Sequence, residues 1–229
     1  MSPRISTLEK VVLAYVVLFC ALGTYLAIFN PVYFHNVYTM EDGIIEWLQF
    51  VGLATTCFVL VKRLIHFRKS KRWMFLVTTL LAALAFFLVA GEEISWGQRL
   101  LNIETPQYFL EKNAQQEVNL HNLVVGEKKI NRIITNRLIP AALLIYLFLI
   151  IPLYHRNEKV RAWCDNWGIP IARNYQVWAY LLLAVLVEVL IKSFADTPRR
   201  GELTEFAGYF IVMLNVTFPH NADVFRQTP

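Results

Sequence analysis

Apolar residues gather into six long runs, 11–29, 44–61, 73–91, 138–154, 175–194 and 203–218, and most charged residues fall between them. At 1.5 Å per residue, about 20 residues cross the roughly 30 Å hydrocarbon core of a bilayer, so these runs predict spanning helices. The first has 19 residues, longer than the apolar stretch of a usual signal peptide, and leads into Asn30-Pro31 without a small-x-small cleavage site; it is expected to be retained. The sixth is the shortest and carries Glu205 and Asn215, while Pro140 and Pro152 bracket the fourth and are expected to bend its ends. The expected fold is all-α: a single membrane domain over 1–229, a transmembrane helical bundle of about six spans, with a long, partly helical outer segment, 92–137, between spans three and four.

Basic residues orient the bundle. Lys62, Arg63, Arg68, Lys69, Lys71 and Arg72 follow the second run, and Arg156, Lys159, Arg161 and Arg173 follow the fourth, whereas 30–43 holds no Lys or Arg. Positively charged loops stay in the cytoplasm, which predicts cytoplasmic N- and C-termini and outer connections at 30–43, 92–137 and 195–202. Of 17 acidic residues, only Glu9, Glu158, Asp165 and Asp223 then lie on the cytoplasmic side. Acidic residues contribute little to topology, so the gathering of the others on the outer side asks for a separate cause.

Composition agrees with lipid as solvent: 56% of residues are apolar and 17% charged, against about 25% charged in soluble domains. The net charge of +5 is what orienting loops supply, and no nucleic-acid partner is expected. Cys20, Cys57 and Cys164 are too scattered for a disulfide framework or a metal knuckle. No phosphate-binding loop, dinucleotide fingerprint, Gly-x-Ser-x-Gly elbow or His-Glu-x-x-His pair occurs. Only His35 and His121 fall on the outer side, which excludes a three-histidine zinc site there.

The strongest local feature is GEEISWGQR at 91–99. If the third helix continues through it, Glu92, Trp96 and Arg99 share one face and Glu93 turns roughly 100° away. One carboxyl would then serve as general base or metal ligand while the other pairs with a cation; the alternative is a hydrated helix end with Trp96 in the interfacial aromatic belt. The second feature is NLHNL at 119–123, where His121 suits a proton carrier or metal ligand or, alternatively, a hydrogen-bonded loop residue. The third is a polar ladder of Glu188, Lys192 and Asp196 at four-residue spacing, read either as a structural Glu188–Lys192 pair or as a polar path. Glu46 and Glu205 begin the second and sixth spans, and Arg199 and Arg200 are placed to hold an anionic group.

The candidate catalytic residues are therefore Glu92, Glu93 and His121. The candidate substrate-binding residues are Trp96, Gln98, Arg99, Asn122, Lys192, Arg199 and Arg200. Glu46, Glu92, Glu93, His121 and Glu205 form the candidate metal set, for which a divalent cation, Mg²⁺ or Mn²⁺, is the fitting cofactor. GEEISWGQR and NLHNL resemble strings found in a loose group of uncharacterised bacterial inner-membrane proteins. That resemblance implies an inner (plasma) membrane location and treats the two strings as one unit; it implies no activity. Three readings stand: a membrane-embedded hydrolase or transferase acting on a lipid or lipid-linked substrate at the outer side; an accessory subunit that docks a membrane protein partner; and a transporter.

Overall fold

The computed structural model describes residues 4–41, 43–125, 128–129, 138–195, 197 and 199–226, apart from the side chains of 125, 128, 129, 187 and 188. Five helices are long and apolar enough to cross a membrane: α1 (Thr7–Phe29), α2 (Ile44–Phe67), α3 (Trp73–Glu93), α5 (Ile139–Arg156) and α7 (Asn174–Phe194). This is the build of an integral membrane protein. Short helices α4 (Gln107–Lys112) and α6 (Glu158–Asn166) lie between them, and α8 (Arg200–Thr217) follows. A two-residue antiparallel pair, Val124–Val125 with Lys128–Lys129, lies between α4 and α5 in sequence.

The expected sixth span, 203–218, is α8, which is not among those five helices. Its first two turns carry Arg200, Glu202 and Glu205, and these depress its hydropathy. It is nonetheless the inner helix. Leu203, Phe206, Ala207, Phe210, Ile211, Met213, Leu214 and Val216 are buried along it, and it packs against α1, α2 and α7. Tyr15 of α1 meets Phe210 and Phe19 meets Phe206, with ring centroids 5.6 and 5.7 Å apart. Gly23 permits the closest approach, since a Cβ there would stand 2.7 Å from a Leu203 methyl. The outward faces carry exposed apolar side chains such as Leu18, Phe58, Leu81, Phe148 and Leu182, as expected of lipid-facing helices, whose backbone groups bond internally.

Local chemistry sets the helix ends. Ser6 caps α1 in a capping box with Glu9, and Asn30 closes it before Pro31. α2 runs past the apolar stretch because Lys62 and Arg63 extend its end, with the Arg63 guanidinium 4.0 Å from the centre of the Phe225 ring. In α5 a π turn, Tyr146–Ile150, immediately precedes Pro152, the residue that cannot donate to a regular α ladder. The Tyr146 hydroxyl points inward, accepting from Ala172 N and Asn215 Nδ2 and donating to Pro170 O.

The end of the bundle where α1 begins and α8 finishes is tied by one buried ion pair. The Glu9 carboxylate, 1% exposed, accepts from Arg173 Nη1 and Tyr175 Oη at 2.6 Å each, and Gln176 Nε2 reaches Phe218 O at 3.2 Å. Removing one partner strands the other charge in a poorly solvated place. Glu9→Ala is expected to cost about 3–5 kcal/mol, whereas Glu9→Leu combined with Arg173→Met should recover most of that loss. Unfolding in detergent, followed by temperature or denaturant, measures both.

Candidate functional site

α3 runs two residues past the apolar stretch but stops six short of Arg99, through which the sequence pattern carried it. Glu93 is its last residue, and Ser95, Trp96 and Gly97 take φ values of 46°, 56° and 75°. The helical face expected to hold Glu92, Trp96 and Arg99 is thus replaced by a left-handed turn, in which the Trp96 ring folds back over the helix it has just left. Gly91 makes room, because a Cβ there would lie 2.7 Å from that ring. Trp96 Nε1 still donates to Glu92 Oε1 at 2.8 Å. Arg99 is carried away from the helix and forms an ion pair with Glu117.

Beyond the turn, the described part of 94–125 is held by side-chain amides and carboxylates. Glu117 Oε2 accepts from Ser95 Oγ (2.6 Å) and Asn119 Nδ2 (3.1 Å). Gln98 is buried, takes the Val118 N–H on its Oε1 at 2.7 Å, and donates to Thr105 Oγ1 at 2.6 Å. Asn113 Nδ2 donates to both the backbone and side-chain oxygens of Asn119 at 2.8 Å. Gln115 Nε2 reaches Glu41 Oε1 at 2.8 Å, and Glu41 also pairs with Arg199 Nη2 at 2.7 Å.

Glu92 fastens this segment to the bundle. Its Oε2 accepts the Leu120 and His121 backbone N–H groups at 2.5 and 3.0 Å and stands 3.4 Å from His121 Nδ1. On the opposite side of the ring, His121 Nε2 and Asn122 Nδ2 are 2.8 Å apart. An amide N–H can only donate, so this contact makes Nε2 the acceptor and leaves the ring proton on Nδ1, facing Glu92. The result is a carboxylate–imidazole dyad.

The dyad borders a cavity of about 60 Å³. Four helix-borne or helix-flanking carboxyls line it from the bundle, Glu46 from α2, Glu93 from α3, and Glu202 and Glu205 from α8. Glu41 and Glu117 complete the acidic wall, with Gln115, Asn119, His121 and Asn122 from the covering segment. Tyr209 Oη, one turn beyond Glu205, donates to Glu93 Oε1 at 3.1 Å. So many carboxyl groups in one small space repel one another when ionised.

Comparison with known proteins finds no matching family model, no similar curated protein and no similar solved structure. The reading of the site therefore rests on its own geometry.

Of the residues singled out from sequence, Glu46, Glu93, His121, Asn122 and Glu205 line the cavity, and Glu92 stands behind His121. Trp96 and Gln98 brace the turn and the covering segment. Arg99 and Arg199 are engaged by Glu117 and Glu41, and Arg200 Nη1 donates to Thr197 O at 3.3 Å. The Glu188 side chain and Asp196 lie outside the described residues; Lys192 is exposed at the end of α7. Among the described residues, no three His, Cys, Asp or Glu side chains are disposed to hold a metal ion. The sequence reading passed over Gln115, Glu117 and Tyr209 as site residues. The polar run from Asn113 to Asn119 is the one sequence trace of Gln115 and Glu117.

Burial of His121 opposes its protonation, but the hydrogen bond to Glu92 and the fields of Glu93, Glu92 and Glu202 outweigh it and lift its pKa above the ordinary histidine value. A raised folded-state pKa contributes stability that is full below the unfolded value, about 6.5, and is lost as pH rises through the folded one. Wild-type protein should therefore melt progressively lower as pH rises through that window, and His121→Gln should flatten the trend. Thermal unfolding between pH 5 and about pH 9 tests the slope.

Proposed function

We propose that this protein is a membrane-embedded hydrolase, acting at the outer membrane surface on a lipid or lipid-linked substrate. The observation that carries the reading is the Glu92–His121 dyad set against a cavity of about 60 Å³ walled by carboxyls. At about 30 Å³ per water in the liquid, that space suits a nucleophilic water or two and is too small for a headgroup. The scissile bond would be presented at the mouth.

The roles follow from position. Glu92 holds the His121 ring by its Nδ1 edge, and Nε2 is the basic atom, reached once the Asn122 amide yields to water. A protonated carboxyl of the cluster, with Glu93 braced by Tyr209 as the best placed, returns a proton to the leaving group. Leu100, Leu101, Ile103, Tyr108, Leu110 and Leu120 are exposed on the covering segment. Such an apolar edge beside the site suits the membrane interface and favours a substrate that arrives from lipid. In this reading α8 is a sixth span, its charged first turns belonging to the site, and the loops rich in Lys and Arg face the cytoplasm.

Lipid extracts from cells lacking the chain, compared with cells complemented by wild-type or variant protein, test the proposal. His121→Asn and Glu93→Gln should each leave the substrate accumulated, with turnover reduced by about 10²–10⁴-fold, while the amount of folded protein in the membrane stays unchanged. A lipid profile indifferent to loss of the chain, together with a stoichiometric protein partner on purification, would replace the enzyme by an accessory subunit.

A further inference from the structure

A second cavity, of about 440 Å³, lies beyond the far end of α8 from the acidic site. The 12 residues of α8 that follow Glu205 put about 18 Å of helix between them. His155 at the end of α5, Arg161 and Asp165 on α6, and His220 and Asp223 after α8 line it, over the Tyr154 ring. The two imidazoles meet edge to face with centroids 4.7 Å apart.

The two acids of this cavity differ: Asp165 is bonded into its wall, and the Asp223 side chain is 93% exposed. Asp165 Oδ1 accepts from Asn221 Nδ2 at 2.9 Å and from Tyr154 Oη at 3.1 Å, and Asp223 pairs with Arg226 Nη1 at 3.1 Å. Arg161 is held in place by donating to the Tyr154 and His155 carbonyls, each at 3.3 Å. Beside the two acids the cavity presents a guanidinium and two imidazoles, donors that suit a tetrahedral oxyanion. Trp167, just beyond α6, meets Trp73 at the head of α3 edge to face at 6.3 Å between centroids and Trp163 of α6 at 6.1 Å. Tryptophans gather at the level of lipid headgroups.

We propose that this cavity binds a phosphate-bearing anion between Arg161, His155 and His220. The charged and titratable groups around the histidines agree with it. Burial, followed by the charges of His155, Arg173 and Arg161, holds His220 below the ordinary histidine pKa, with Asp165 opposing. An anion bonded to both rings would relieve that repulsion and raise the value, so binding strengthens as pH falls.

The test is a titration of the full-length protein in phosphate-free detergent, with inorganic phosphate in one arm and phosphatidic acid against phosphatidylcholine in the other, at pH 6 and pH 8. Saturable binding, tighter at pH 6 and weakened about tenfold or more in His155→Gln/His220→Gln, supports the site. Binding in the first arm identifies free phosphate as sufficient; binding confined to phosphatidic acid identifies a headgroup. Absence of binding in both arms, or equal binding by wild type and variant, overturns the proposal. If the double variant fails to fold, the wild-type histidine NMR titration decides: phosphate or phosphatidic acid must raise the His220 pKa, and an unmoved value overturns the proposal.

Discussion

The site depends on a single carboxylate that does no chemistry in the proposed reaction. Glu92 collects two backbone N–H groups, an indole N–H and an imidazole edge, and so joins the end of α3 to a stretch of chain nearly 30 residues further on. A carboxylate accepting several hydrogen bonds is strongly held. Without it the described side-chain tie from this part of the segment to the bundle is Gln115 on Glu41, because the neighbouring contacts of Asn119 and Asn122 are made within the covering segment itself.

The two ends of the bundle solve the problem of charge near lipid in different ways. At one end Glu9 is buried against Arg173 and Tyr175, a closed pair with matched partners. At the other, the carboxyls of Glu46, Glu93, Glu202 and Glu205 converge on one cavity, with Arg99 and Arg199 drawn to Glu117 and Glu41. The first arrangement fixes structure. The second leaves groups able to give and take protons, which is what acid–base chemistry requires.

Much of this was legible in the chain. Five of the six apolar runs correspond to helices of spanning length, and the sixth to α8, because a run of apolar residues bounded by charge admits few other structures in lipid. Glu46, Glu93, His121 and Glu205 were recognisable as site candidates, since carboxyls at the mouths of apolar helices are costly unless used. The partners of Arg99 were not legible. Helical spacing put Arg99 beside Glu92, but three successive left-handed residues at 95–97 turned it toward Glu117; only the folded segment shows that Gly91 leaves room for Trp96 to lie back and permit the turn. Tyr209 escaped notice because a tyrosine inside an apolar run has no pattern to mark it as a partner for Glu93.

The π turn in α5 has a consequence for how the chain tolerates change in length. A π turn accommodates one residue more than the α turn it replaces. Loss of one residue from 146–150 would let the segment relax to regular α-helix while Tyr154 and everything after it keep their angular phase. The same deletion elsewhere in α5 would rotate the downstream face by roughly 100° and swing Tyr154 away from Asp165. The wide turn is thus the place where this helix can absorb a shortening without misaligning its end.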